Sequence, residues 1–221
     1  WSQMVRAKRW NEMSKDCTNM VYGRRSQRKS YKLSTETAGF KRHGDNEYQA
    51  KFSESEREVL INLSEQLIEL LSERVDHAHE DPLAAMVGIT VHDTPPEDEV
   101  LLRLLPNAYA DEHASSEFRR YTESTLREKK RAHAMAIRSN IINAGDSAVD
   151  LDHDGAMAWL GGLNDIRLAL GVRLKIEDNA QEHLELLKPD DPLRAVYAVY
   201  TWLGWLQESL IQALMDDVPE R

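Results

Sequence analysis

The chain has 221 residues, of which 41% are hydrophobic and 30% are charged, and its formal net charge is -10. This length and composition are typical of one globular domain with or without an appendage, and they exclude a wholly disordered chain. No stretch reaches the roughly 18 consecutive apolar residues of a membrane helix, and the first thirty residues lack the apolar centre of a signal peptide. A single cysteine, Cys17, excludes an internal disulfide and a thiolate metal cluster, so we expect a cytoplasmic protein.

The charge is distributed unevenly along the chain. Residues 1–44 contain eleven Lys and Arg against three acids (+8), whereas the other 177 residues contain seventeen against thirty-five (-18). Residues 1–38 show neither helical nor strand periodicity, so we interpret them as a flexible basic leader before a single helical domain, 39–221. Because the acidic body repels phosphate backbones, nucleic-acid binding would depend on the leader.

The first regular elements predicted are a β-hairpin and a capped helix. The segment GFKRHGDNEYQAKF alternates around a turn-rich centre, which favours a short hairpin. Ser53 and Glu56 form a capping box, in which each side chain bonds the other residue's backbone amide. The helix that follows has apolar residues at a 3.6-residue period and is expected to end near His77 or His79.

The rest of the chain is predicted to be mostly helical. DEVLLRLL is a short helix, a longer helix spans about Glu112 to Ile141, and NAGDSAVDLDHDG is interpreted as the loop that leaves it. The next helix contains WLGGLNDIRLALGVRL, and Asp191-Pro192 begins the last helix as N-cap and first-turn proline. The predicted fold class is therefore mainly α, a bundle of four to six helices with a short N-terminal β-hairpin.

Three segments carry a family resemblance: LRLLPNAYADEHASSEFRRYTESTLREKKRAHA, WLGGLNDIRLALGVRL and YAVYTWLGWLQESL. Over about Phe40 to Leu214 the chain resembles an actinobacterial family known as a domain of unknown function. The family motif, a Trp-Leu pair followed by Leu-Asn-Asp-x-Arg-Leu and Leu-Gly-x-Arg-Leu, matches Trp159 to Leu174. The resemblance implies a mostly helical cytoplasmic protein with no established activity. Members are typically encoded near the adaptor protein of the Clp protease, and some are labelled transcriptional regulators.

Three polar residues interrupt the apolar helix within this motif: Asn164, Asp165 and Arg167. At 100° per residue, Asp165 lies on a stripe of small residues and points away from the other two, so it cannot readily pair with Arg167. Each charge needs a partner elsewhere, because an unpaired buried charge is strongly destabilising. The three could form a ligand-binding or catalytic set in a cleft. We favour a structural role, since buried polar groups are normally satisfied by local bonds and no nucleophile-and-base pair lies nearby.

Histidines and acids at residues 77–81 and 152–154 superficially offer metal ligands. A zinc site needs three or four converging ligands, and neither HExxH nor Glu-x-x-His occurs in the expected form. We interpret the first group as a polar helix end and Asp152 as an N-cap, and we expect no metal or other cofactor. His133 is expected to be packed and hydrogen-bonded on the inner face of its helix, together with Phe118, Leu126 and Ile137.

Four arginines share one face of the long helix at spacings of 7, 4 and 7 residues: Arg120, Arg127, Arg131 and Arg138. Such a row, about 27 Å long, could bind an acidic peptide or a phosphate backbone. Four acids with the same spacing lie on the leucine-rich helix: Glu58, Glu65, Glu69 and Asp76. Two adjacent helices could pair these rows, or each row could be solvated, and we favour these structural alternatives.

The last helix has apolar residues on nearly every side, including Tyr197, Tyr200, Trp202 and Trp205. This pattern is typical of a central helix. If the bundle is too small to cover the helix, the excess is expected to form a dimer or partner surface, for which Tyr197, Trp202 and Trp205 are candidates.

The sequence favours a non-enzymatic protein that binds another protein, for which the proteolysis machinery or a second copy are candidates. It contains no phosphate-binding loop, nucleophile elbow, kinase motif or C-x-x-C. One alternative is a DNA-binding transcriptional regulator that uses the basic leader and the arginine row. A second alternative is an enzyme with a polar pocket around Asp165. We expect no membrane association and no nucleic-acid binding by the acidic body.

Overall fold

The computed structural model describes residues 39–72, 94–176, 187–188, 191 and 193–216. The interpretation of residues 1–38 as a flexible leader lies outside these ranges, as do the expected end of the first helix and the histidines at 77 and 79. The elements in the described ranges are β1 Lys41–Gly44, β2 Glu47–Ala50, α1 Glu54–Ser72, α2 Glu99–Leu104, α3 Glu112–Ala144, β3 Val149–Leu151, α4 His153–Arg173 and α5 Leu193–Met215. The predicted fold class, mainly α with an N-terminal hairpin, is confirmed.

The sheet has one strand more than predicted. β1 and β2 form the expected antiparallel hairpin, and Asn46 in its turn has a φ of 56°, in the left-handed region that Asn tolerates. β3 pairs antiparallel with β2, so the strand order is β1-β2-β3. The interpretation of NAGDSAVDLDHDG as an exit loop is therefore wrong for Val149–Leu151. Val149 and Leu151 are buried and Asp150 is exposed, which is a strand pattern of only three residues.

The predicted cap residues are confirmed, whereas the first-turn proline at position 192 lies outside the described residues. Ser53 N donates to Glu56 Oε2 at 2.8 Å, and Glu56 N donates to Ser53 Oγ at 3.4 Å, which completes the capping box. Asp152 Oδ1 accepts from Gly155 N at 2.7 Å at the start of α4, and Asp191 Oδ1 accepts from Leu193 N at 2.9 Å at the start of α5. These bonds satisfy backbone amides that have no partner inside a helix.

The central helix is α4, which packs against the other four helices and against β2 and β3. Its fully buried Trp159 packs edge-on against Phe40 and stacks on Phe52, with ring centroids 5.3 and 5.9 Å away. Trp159 Nε1 donates to Asn140 Oδ1 on α3 at 2.9 Å. The prediction that the last helix is central is wrong, because α5 lies on one side of α4 and against the hairpin. None of the helices in the described ranges is long and apolar enough to cross a bilayer.

Candidate functional site

Asp165 faces α3 and forms an ion pair with it. The residue is 2% exposed, and its Oδ1 accepts from Lys130 Nζ at 2.6 Å. The two helices lie close together because the same side of α4 carries Gly161 and Gly162. A Cβ on Gly162 would lie only 3.2 Å from the carbonyl oxygen of His133. A larger residue at this position would separate α3 from α4 and lengthen the ion pair.

Arg167 faces the opposite neighbour, α5. Its Nη1 donates to Gln207 Oε1 at 2.5 Å, and its guanidinium carbon lies 5.2 Å from the centroid of the Tyr200 ring, a cation–π distance. Its buried Nε has no hydrogen-bond partner among the described residues. Asn164 is exposed. As the helical angles predict, Asp165 and Arg167 have separate partners, so the three polar residues do not converge on one centre.

His133 lies directly over Gly161, where its imidazole fills the space that a side chain would otherwise occupy. The residue is half-buried, and desolvation lowers its pKa below the ordinary value of 6.5. Among its charged neighbours, Asp165 acts to raise this pKa, whereas Lys129 and Lys130 lower it further. His133 is therefore neutral at neutral pH.

The predicted inner face of α3 is only partly correct. Ile137 is fully buried, as predicted, but Phe118 is 44% exposed and Leu126 is 38% exposed. The buried face of α3 turns away from these two residues, because the first half of the helix buries charged side chains instead.

The arginine row does not form one continuous surface. Arg127 is 6% exposed, and its Nη1 donates to the carbonyl oxygen of Leu71 at 3.1 Å, so its assignment to a partner-binding stripe is wrong. Arg138 Nε lies 2.7 Å from Glu65 Oε1 on α1, which is one of the predicted interhelical ion pairs. Arg131 lies 3.6 Å from Glu128 on its own helix, and Arg120 is exposed.

A buried charge network in the first half of α3 was not predicted from the sequence. Glu123 accepts from Arg119 Nη1 at 2.6 Å and from Arg127 Nη2 at 2.8 Å, and all three residues are at most 6% exposed. Arg119 Nη2 also donates to the carbonyl oxygen of Leu105, at 3.1 Å, and to Asn107. The spacing of four residues between successive charges was visible, but the same spacing is typical of a solvated helix face.

The aromatic surface predicted on the last helix is mostly buried. Tyr197 is 3% exposed and Trp202 is 8% exposed, so neither is available to a partner, and for these two residues the predicted aromatic interface is wrong. Trp205 is 45% exposed and lies beside Gly39.

No group of three or more potential metal ligands occurs in the part of the chain that the structure describes. A recess between α1 and α4 has room for about one water molecule. Its lining is almost wholly apolar and includes Leu63, Leu67, Leu70 and Ile166, but not Asp165. The recess is therefore too small for a metabolite.

These features define a class of protein, a helical bundle with a small sheet, in which most of the singled-out polar side chains join one helix to another. Residues 37–214 match the family described as "Domain of unknown function (DUF2017)", and the chain belongs to this family. This confirms the family resemblance found in the sequence.

The chain is also similar to mycobacterial proteins named oxidative stress regulator AosR. It is 32% identical over 183 residues to the proteins of Mycobacterium tuberculosis and Mycobacterium bovis, covering 76% of this chain and 82% of each relative. It is 33% identical over 172 residues to the AosR protein of Mycobacterium leprae, covering 71% of this chain and 77% of the relative. No solved structure matches this chain.

Proposed function

We propose that this protein is a non-enzymatic cytoplasmic regulator that acts in the response to oxidative stress by binding another protein. The observation that carries this proposal is the similarity, over 76% of the chain, to proteins named oxidative stress regulators. The separate partners of Asp165 and Arg167 support the non-enzymatic part, because these side chains hold helices together rather than meeting at one cavity.

The cysteine content constrains how such a regulator receives its signal. Because Cys17 is the single cysteine in the sequence, no disulfide can form between two of these 221 residues. We therefore infer that the oxidant signal reaches this chain through a partner, or through a bond between Cys17 and another molecule. Components of the proteolysis machinery are one candidate class of partner, because the family it resembles is typically encoded near the Clp protease adaptor.

The experiment that tests the proposal is deletion of the gene in its native host, followed by exposure to hydrogen peroxide. We expect the deletion strain to show changed survival and a changed transcript response, both restored by the wild-type gene. A deletion strain that matches the wild type in both measurements would contradict the regulatory role.

The enzymatic alternative has its own test, which is Asp165→Asn. This substitution keeps an oxygen that can accept from Lys130 but removes the carboxylate that a catalytic role would need. We expect a folded Asp165→Asn protein to restore the peroxide response. A variant that folds normally but fails to restore it would favour an enzyme with a site at Asp165.

A further inference from the structure

The outward side of α4 is incompletely covered, although α4 is the central helix. Asp165 marks the side that contacts α3, and Arg167 marks the side that contacts α5. At 100° per residue, these directions are about 160° apart on the side that carries Asn164. Five of the residues in this interval follow one another at spacings of 3 or 4, and we call them the α4 outer stripe: Met157, Leu160, Asn164, Leu168 and Gly171.

The α4 outer stripe is more apolar than a solvated helix face. Met157 is 49% exposed, Asn164 is exposed, and the other three members are half-buried. The stripe covers four turns, or about 21 Å at 1.5 Å per residue. Apolar residues at this spacing normally face another helix, and in the described ranges Met157 and Asn164 stay exposed although Leu160 and Leu168 pack against the core.

The two edges of the stripe differ in charge. On the α3 edge, Lys129 is exposed, lies one helical turn from His133, and has no carboxylate partner among the described residues. On the α5 edge, Arg167 bonds a neutral amide, and the exposed carboxylate of Glu208 accepts from Gln212. Lys129 therefore gives the α3 edge an exposed positive charge, whereas the exposed Asp154 lies three residues before Met157, at the N-terminal end of the stripe.

We propose that the α4 outer stripe is the docking site for an amphipathic helix of a partner protein, with apolar residues at its centre and carboxylates on the flank that faces Lys129. The proposal rests on the proposed function, since it names the surface through which the regulator binds. An acidic flank is complementary to Lys129. A second copy of the chain would instead bring another Lys129 to the same stripe.

Two exposed methionines provide a matched pair of variants. Met157 lies on the stripe and is 49% exposed, whereas Met135 lies on the opposite side of α3 from its buried face and is 45% exposed. Because both side chains are exposed, neither Met157→Glu nor Met135→Glu should unfold the protein. The two variants add the same charge and differ in position.

The probe is a fluorescently labelled synthetic helix of about 16 residues, with a leucine stripe and glutamates along one flank, titrated with the full chain and followed by anisotropy. We expect the wild type and Met135→Glu to bind it equally and Met157→Glu to bind at least tenfold more weakly. Lys129→Glu should reverse the preference, so that a peptide with lysines in place of glutamates binds better than the acidic one. No binding of the acidic peptide, or equal binding by Met157→Glu, would overturn the proposal.

Sedimentation of the wild type and of Met157→Glu tests whether a second copy of the chain, rather than a partner helix, binds the α4 outer stripe. We expect the two proteins to sediment alike. Self-association of the wild type that Met157→Glu abolishes would replace the proposed partner helix with a second copy of this chain.

The deletion strain separates failure of this proposal from failure of the proposed function. We expect Met135→Glu to restore the peroxide response and Met157→Glu to lose it. If both variants restore the response, the protein is a regulator but the α4 outer stripe is not its docking site. If the deletion itself has no effect, the proposed function is wrong.

Discussion

The two halves of α3 bury their inward faces with opposite chemistry. The second half buries Ala134, Ile137 and Ile141, each at most 1% exposed. The first half buries Arg119, Glu123 and Arg127, each at most 6% exposed, at the same helical spacing and in the same helix. The inward faces of the two halves are therefore both buried, but one is apolar and the other is charged.

The difference follows from what each half contacts. Arg127 donates to a carbonyl in the last turn of α1 as described, and Arg119 donates to the carbonyl at the C-cap of α2. Carbonyls at helix C-termini lack intrahelical donors and carry partial negative charge, so cations stabilise them. The second half of α3 contacts the middle of α4, where the backbone amides and carbonyls of α4 bond one another. No side chain of α3 is needed to bond these groups, so apolar side chains can pack closely there. Charge is thus buried where α3 meets the C-cap of α2 and the last described turn of α1, and apolar side chains are buried where it meets the middle of α4.

The largest expected effect comes from breaking the charged half. Glu123→Ala leaves Arg119 and Arg127 buried without their shared carboxylate, so we expect the free energy of unfolding to fall by about 3–5 kcal/mol. Glu128→Ala is the control, because the side chain of Glu128 is 77% exposed and its pair with Arg131 is long. This control should lose less than about 1 kcal/mol. Urea denaturation measures both values, and similar losses in the two variants would contradict the buried network.

The apolar half can be tested with two glycines of α4. A Cβ on Gly162 would press on the buried Ile137 side chain and lie 3.2 Å from a backbone carbonyl, so we expect Gly162→Ala to destabilise the protein by about 1–3 kcal/mol. A Cβ on Gly171 would meet only Tyr200, at 3.9 Å, and alanine favours the helix, so Gly171→Ala should stabilise it by up to about 1 kcal/mol. Thermal denaturation of both variants shows whether each substitution raises or lowers the stability of the protein. Stabilisation by Gly162→Ala would show that α3 and α4 are not in close contact.

The same contrast explains what the sequence could predict of the fold. Caps and apolar periodicity are local, so the capping box at Ser53 and the start and apolar face of the helix that follows it were predicted correctly. β3 was missed because a strand of only three residues, in a segment between Gly145 and Asp152, resembles a loop until β2 is known to lie beside it. The last helix was predicted to be central because it is apolar all round. The central helix is α4 instead, because the glycines of α4 allow neighbouring helices to pack closely against α4.

The candidate site was predictable to a similar extent. Helical angles alone placed Asp165 and Arg167 on different sides of α4, and the structure gives them partners on different helices. The burial of Arg127 was not predictable, because an arginine four residues from a glutamate has the same pattern on a solvated face. That side of α3 is an interior surface because α1 packs against it, with the Leu71 carbonyl, 56 residues earlier in the chain, accepting from Arg127.

His133 lies at the contact of the apolar half with Gly161 and should give this half a pH dependence. Because its pKa is lowered by folding, the unfolded chain binds the proton more tightly than the folded one. We expect this contribution to stability to be complete above the unfolded pKa of about 6.5 and to be lost as the pH falls from there through the lower, folded pKa. Urea midpoints at several pH values, compared between the wild type and His133→Gln, separate the contribution of His133 to stability from those of the other histidines. If both proteins lose stability equally on acidification, His133 is not the group responsible.

The smallest expected effect belongs to the exposed contact between α3 and α1. Arg138 and Glu65 lie 2.7 Å apart, but their side chains are 41% and 50% exposed, so water and salt screen the pair. We expect Arg138→Ala to lower the free energy of unfolding by less than about 1 kcal/mol, and by less still in 1 M salt. Glu65→Ala and the double variant complete a mutant cycle that measures the coupling between the two residues. A coupling as large as the effect of Glu123→Ala would show that an exposed ion pair of α3 can be as strong as its buried ion pairs. Exposure would then not explain why some ion pairs of α3 are weak.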